Sequence, residues 1–166
     1  DGVAQVKKTF DQLKLEALIA IGGEDTIGVA SKLFNEGFHV VGLPKTIDND
    51  LEVTDFTVGF PTAVQIVSDA IDRLRTTGES HERIMIVEIM GRHAGWLAAY
   101  GGLAGGADLT ITPEFPCAIQ EVVNTIERCR KRGKMAPIIA IAEGAELLDD
   151  KGKKISEHST EAVDSF

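Results

Sequence analysis

Leu18-Ile19-Ala20-Ile21-Gly22-Gly23-Glu24-Asp25-Thr26 decides the fold. Four apolar residues in unbroken succession read as a strand covered on both faces, because a half-exposed strand would alternate apolar with polar. Two glycines then stop the run, and a helical stretch follows from Thr26 to Phe34. The same grammar repeats along the chain. Val40-Val41-Gly42-Leu43, Ile84 to Ile89, Leu109-Thr110-Ile111 and Ile138-Ile139-Ala140-Ile141-Ala142 are further continuous strands. Between them, apolar residues recur at spacings of three and four: Val3, Val6, Phe10 and Leu13; Ala63, Ile66, Val67, Ala70, Ile71 and Leu74; Ile119, Val122, Val123, Ile126 and Cys129. Ala94 to Leu103 is a further helix, with a signal weakened by its glycines. Strand and helix in alternation, with strands apolar throughout, predict an α/β fold: a doubly wound, mainly parallel sheet with helices on both faces.

Composition narrows the class. The length of 166 residues suits one domain with a substantial core. A net charge of −9 disfavours a broad nucleic-acid footprint, which needs clustered Lys and Arg. The apolar runs are all far shorter than a membrane span, and the first residues lack the layout of a signal peptide. Cys117 and Cys129 stand in neither metal nor redox spacing and read as reduced, buried thiols of a cytoplasmic protein. Neither internal repeats nor low-complexity segments are present. The polar stretch from Leu147 to Phe166, with Asp149-Asp150-Lys151-Gly152, reads as a turn or hairpin.

Ligands of open α/β sheets bind at the carboxyl ends of the strands, and polar residues gather at four such places. Gly22-Gly23-Glu24-Asp25-Thr26 lies between a strand and a helix. Its glycines let backbone N–H groups approach a phosphate, and its two acids would need a divalent cation between themselves and that anion. A plainer alternative is that Asp25 or Thr26 caps the helix. Pro44-Lys45-Thr46-Ile47-Asp48-Asn49-Asp50, immediately after the next strand, offers a cation, a hydroxyl and carboxylates in seven residues. Such a set can hold a phosphate and accept a proton from a hydroxyl nucleophile; as a bland alternative it makes a good solvated turn. Met90-Gly91-Arg92-His93-Ala94-Gly95-Trp96 offers Arg92 and His93 at a strand-to-helix junction, and Glu143 follows the last strand. A single cleft at the strand ends has room for all four.

Taken together, Gly22 to Thr26, Pro44 to Asp50 and Met90 to Ala98 resemble the successive signature loops of the phosphofructokinase family. Thr57-Val58-Gly59-Phe60 and Ala70 to Arg75 fit between them, and the likeness runs from about Leu18 to Gly144. The resemblance implies that Asp48 is the general base for the 1-hydroxyl of fructose 6-phosphate. It implies that Thr46 and Asp50 hold the transferring phosphoryl group and its Mg²⁺, with Ile47 in the same substrate-binding loop. Glu24 stands where the family has an acidic magnesium ligand, usually Asp. Met90, Gly91 and Arg92 match the segment that contacts the sugar phosphate, and Glu143 an acid that binds its hydroxyls. Arg83 matches an arginine that reaches a neighbouring subunit's 6-phosphate, so a homo-oligomer with shared active sites is expected.

The phosphoryl donor turns on two residues. The ATP-using members typically carry glycine after the acid of the first loop, leaving room for the α-phosphate. Asp25 fills and charges that place, so ATP is expected to be excluded. Lys45 stands where many ATP enzymes have glycine and would neutralise charge on a small donor. The pair resembles pyrophosphate-dependent members, with Gly23, Glu24, Asp25, Thr26 and Lys45 around the donor and Asp25, Lys45 and Asp48 taking part in catalysis. An ATP-dependent enzyme with a shifted first loop is the nearer alternative. A non-catalytic paralogue that binds a sugar phosphate is the remoter one, disfavoured by the intact Thr46 to Asp50 loop. Residues 1–166 are further expected to be the central part of a longer phosphofructokinase domain. The family's donor-cradling strand and loop would then precede them and the rest of its sugar-phosphate pocket would follow, leaving the isolated stretch inactive.

Overall fold

The computed structural model describes residues 2–52 and 54–155. The chain divides into two compact units, Asp1–Pro61 and Thr62–Phe166.

The first unit holds α1 (Gly2–Leu13), β1 (Leu18–Gly22), α2 (Glu24–Asn35), β2 (Val40–Thr46) and β3 (Val58–Gly59). The strands form one parallel sheet in the order β1-β2-β3. Leu18 pairs with Val40 and Gly22 with Pro44, so the carboxyl ends of β1 and β2 lie side by side. β2 outruns the sequence reading, which stopped at Leu43. Pro44, Lys45 and Thr46 remain strand because Lys45 and Thr46 pair with Val58 and Gly59 of β3. Pro44 is tolerated there: it lacks an amide donor but keeps its extended backbone.

α2 packs on one face of this sheet through Ala30 and Leu33, and Ile27 crosses Gly42 so closely that a Cβ there would lie 3.1 Å from it. On the opposite face Ile19, Ile21, Val41, Leu43 and Val58 are between 41% and 65% exposed. The expected cover on both faces is therefore not met in this unit. An apolar run says that both faces suit burial, not that the covering element lies among these residues.

In the second unit that expectation holds. α3 (Phe60–His81) leads into β4 (Met85–Ile89), α4 (Trp96–Gly105), β5 (Leu109–Ile111), β6 (Cys117–Ala118), α5 (Ile119–Lys131), β7 (Ile138–Ala142) and β8 (Leu147–Leu148). β4, β7 and β5 form a second parallel sheet with β7 central and nearly buried throughout. α4 covers one face, where Gly102 sits against Ala140 and Thr110. Val122 and Ile126 of α5 cover the other, over Ile111, Cys117 and Ile139. Gly101 and Gly105 bring α4 onto Val67 and Ile71 of α3, where any side chain would collide. The described strands thus form these two parallel sheets, in keeping with the expected α/β fold, and a two-stranded pairing of β6 with β8.

The turn expected after Leu147 is a hairpin. Leu148 bridges Lys154, Asp149 Oδ1 accepts from the amides of Lys151 and Lys153, and Gly152 adopts φ 73°. The remainder of that polar stretch, 156–166, lies outside the described residues. Both cysteines are free; Cys117 is buried as expected, whereas Cys129 is half-exposed. Burial and the neighbouring carboxylates, Glu121 and Asp108 respectively, push both thiols up, which keeps them protonated.

Asp108 ties this unit together. Its two carboxylate oxygens lie 2.6 and 2.7 Å from Lys134 Nζ, and Oδ2 also accepts from the Ile138 amide at 2.8 Å. Burial would raise its pKa, but the bonds from Lys134 and Ile138 outweigh that and hold it below the ordinary 3.8. A depressed carboxylate stabilises the fold above its unfolded value and loses that contribution as pH falls through the folded one. Asp108→Ala is therefore expected to lower unfolding stability by about 3 kcal/mol at neutral pH, leaving Lys134 unpaired. Urea titrations should show the gap between the two proteins closing below pH 3.8. A gap of equal size at about pH 2 would remove the carboxylate from this role.

Candidate active site

In the first unit the two loops named from sequence are neighbours. Gly23 follows β1 and is the N-cap of α2, with no side-chain hydrogen bond at the cap. Asp25 and Thr26 are thus inside the first turn, and neither caps the helix. Thr26 packs against Gly22, where a Cβ would overlap its side chain. Glu24 and Asp25 stand where the helix dipole favours negative charge. Thr46 ends β2 beside Gly23, 3.7 Å from the position a Cβ of Gly23 would take.

Beyond Thr46 the chain folds back on itself. The Thr46 hydroxyl donates to Asp48 Oδ2 at 3.2 Å, and the Asp48 amide donates to Thr46 Oγ1 at the same distance. This reciprocal pair restrains a half-buried carboxylate through Oδ2 and leaves Oδ1 outside the pair. Two residues given no role of their own in the sequence brace the loop. Asn49, in the left-handed region at φ 53°, accepts from the Thr57 amide at 2.9 Å. The buried Thr57 hydroxyl donates to the Thr46 carbonyl at 2.7 Å. Ile47 is half-buried and Asp50 exposed. The strand pleat sets Lys45 on the same face as Leu43 and Val58, opposite to Thr46, with its ammonium exposed. Among the described residues neither Asp25 nor Lys45 enters an ion pair.

The donor set suits Mg²⁺ only in part. Carboxylate and hydroxyl oxygens are the right kind of ligand, yet no three metal-binding side chains cluster among the described residues. Mg²⁺ is commonly held by one or two carboxylates together with substrate phosphate oxygens and water, and Glu24 fits such a partial site.

The second unit holds the other candidates. β4 and β7 are paired so that Ile89 lies opposite Ala142, and the segments following each strand meet. Gly91 donates its amide to Glu143 Oε1 at 3.4 Å, and the Gly144 amide donates to the Gly91 carbonyl at 3.1 Å. Gly91 adopts φ 150°, and Gly144 lies so close to Arg92 that any side chain there would strike its carbonyl. The backbone is thus clamped while the side chains of Met90, Arg92, His93 and Glu143 are exposed. Arg83 is placed apart from them. It precedes β4 whereas Met90 follows it, and five strand residues span about 16 Å.

Glu114 went unnoticed in the sequence, although it follows β5 and so stands at another carboxyl strand end. Its Oε1 accepts from the Gly95 amide at 2.7 Å, at the N-terminus of α4. Burial would raise this carboxyl, but the bonds from Gly95, from its own amide and from Thr112 hold it below the ordinary 4.5.

Comparison with known proteins decides the family of the chain. A family model described as phosphofructokinase matches residues 1–165. The chain belongs to the phosphofructokinase family. A pyrophosphate–fructose 6-phosphate 1-phosphotransferase from Amycolatopsis methanolica is 58% identical over 144 residues, covering 87% of this chain and 42% of that protein. An ATP-dependent 6-phosphofructokinase from Corynebacterium efficiens is 53% identical over the same shares of both chains. The phosphofructokinase structure from Saccharomyces cerevisiae superposes with a TM-score of 0.80 at 31% identity, covering 93% of this chain and 24% of the yeast one. This family member therefore spans less than half the length of these relatives. No helix among its described residues is long and apolar enough to cross a membrane.

Proposed function

We propose that these residues belong to an enzyme that moves a phosphoryl group from pyrophosphate to the 1-hydroxyl of fructose 6-phosphate. The products are fructose 1,6-bisphosphate and orthophosphate, and the reaction is reversible. What carries the assignment is the Thr46–Asp48 pair beside Gly23, a fixed carboxylate next to a loop suited to phosphate. Asp48 Oδ1 takes the proton of the 1-hydroxyl as its oxygen bonds to phosphorus; the bridging P–O bond of the donor breaks and orthophosphate leaves. Thr46 and Asp50 orient the group in transfer, and Ile47 lines the same loop.

Gly23 and Thr26 present the first turn of α2 to the donor. Glu24 supplies a carboxylate to Mg²⁺, which when bound neutralises charge on the phosphoryl oxygens. Pyrophosphate is favoured over ATP because Asp25, which does not cap α2, occupies the place of an α-phosphate, while the exposed Lys45 ammonium answers the charge of a small donor. A 53% identical ATP-dependent relative supports ATP as the second reading.

Met90, Gly91 and Arg92 bind the sugar phosphate and Glu143 its hydroxyls. Arg83, at the far end of β4, serves a pocket of a neighbouring subunit in a cytoplasmic homo-oligomer. The family's remaining donor and sugar-phosphate contacts come from outside residues 1–166. In the full-length polypeptide, fructose 6-phosphate, pyrophosphate and Mg²⁺ together should yield fructose 1,6-bisphosphate, and EDTA should abolish the yield. Bisphosphate formed equally well with EDTA would overturn the metal assignment; none formed with all three present would overturn the function.

A further inference from the structure

We propose that Glu114 is a positioning residue for the sugar-phosphate loop: by holding the Gly95 amide it fixes the far end of the Met90–Gly95 segment and so sets where Arg92 points. The proposal rests on the functional assignment of Arg92 given above.

The segment between β4 and α4 is six residues long and rich in glycine, which on its own favours many conformations. At its start it is held by strand pairing, by Glu143 and by the close approach of Gly144 to Arg92. None of these reaches its end. There a single side-chain bond, from the Gly95 amide to Glu114, joins the start of α4 to the segment after β5. At 2.7 Å, to an ionised acceptor, it belongs to the stronger class of hydrogen bond.

The surroundings are shaped for it. A Cβ on Gly95 would overlap Thr112 and come within 2.7 Å of Glu114 Oε2, so only glycine lets the carboxylate approach. The Thr112 side chain also bonds Glu114. α4 has no side-chain cap of its own at Gly95. Glu114, nineteen residues away in sequence, accepts instead from the amide of the N-cap residue itself, and its charge complements the helix dipole. Arg92 stands at the edge of the first hold and His93 between the two, both with exposed side chains. Loosening the Gly95 hold therefore leaves the stretch that follows the Arg92 backbone held at one end only, without disturbing either sheet.

The test uses the full-length protein with Glu114→Ala, Glu114→Gln and Gly95→Ala. Two quantities are read: amide hydrogen exchange at 92–95, and the KM and kcat for fructose 6-phosphate. Glu114→Ala should speed exchange about tenfold and raise KM about tenfold, with kcat changed less than about threefold. Glu114→Gln keeps an oxygen acceptor and should restore both to within about threefold. Gly95→Ala should behave like Glu114→Ala. Unchanged exchange in Glu114→Ala overturns the proposal, and so does fast exchange with KM unaltered. A loss of kcat that Glu114→Gln does not rescue overturns it too, because the residue would then act directly on the chemistry. If the unmodified protein does not use fructose 6-phosphate, the functional assignment fails, and with it the role in setting Arg92; exchange at Gly95 then reports only whether the clamp itself exists.

Discussion

Asp48→Asn in the full-length polypeptide is expected to lower kcat by roughly 10²-fold or more while leaving the KM for fructose 6-phosphate nearly unchanged. The substitution removes the proton acceptor and little else. Asn at this position can still accept from the Thr46 hydroxyl and keeps the shape of the loop, which Asn49 and Thr57 hold independently. Loss of activity by collapse of the loop would instead raise KM and lower stability. Steady-state kinetics beside a urea unfolding curve separates the two cases. Near-normal turnover would show that another group takes the proton.

The second large effect concerns the donor. Asp25→Gly should weaken use of pyrophosphate and open the site to ATP. The helix tolerates the change, because Gly23 is the cap and Asp25 contributes only a first-turn charge, worth about 0.3–1 kcal/mol. Lys45→Ala removes the ammonium while the backbone of β2 keeps its pairing to β3. Losing that stabilisation of developing charge should cost the pyrophosphate reaction about 2.7–4 kcal/mol in its barrier, or some 10²–10³-fold in kcat. The double variant should move preference towards ATP further than either change alone. Initial rates with each donor at fixed fructose 6-phosphate provide the check. Pyrophosphate use left intact in Asp25→Gly, with ATP still unused, would reduce the aspartate to a helix-terminal charge.

Much of this was legible in the sequence because strands and helices announce themselves through local patterns. The continuous runs at Leu18 to Ile21 and Ile138 to Ala142 became β1 and β7, and the polar clusters after the strands do stand at strand ends. The departures have physical causes that local pattern does not contain. The apolar run ends at Leu43, yet pairing with β3 carried β2 on to Thr46. The apolar face of Ile19, Ile21, Val41 and Leu43 advertised burial that these residues alone do not provide. The strand ends stand on two sheets, a division that local pattern does not show, because a run of residues encodes how a strand pairs only weakly and which strand it pairs with hardly at all.

The candidate site divides in the same way. Asp48 and Thr46 were readable because their roles sit two residues apart, within one loop. The bracing of Asn49 by Thr57 spans eight residues, and that of Gly95 by Glu114 nineteen. Neither pair has a residue type unusual enough to stand out from the turns around it. Glu114 had one usable signal, its position just beyond β5, where the rule about carboxyl strand ends applied as well as it did after β1, β2, β4 and β7.

The donor roles proposed for Asp25 and Lys45 can be tested on the unmodified full-length polypeptide without any substitution. The measurement is kcat/KM for pyrophosphate and for ATP, each with saturating fructose 6-phosphate and Mg²⁺. Pyrophosphate should be preferred by at least about 10²-fold, the discrimination available when one substrate meets a clash and a like charge. Equal or better turnover of ATP would contradict the account.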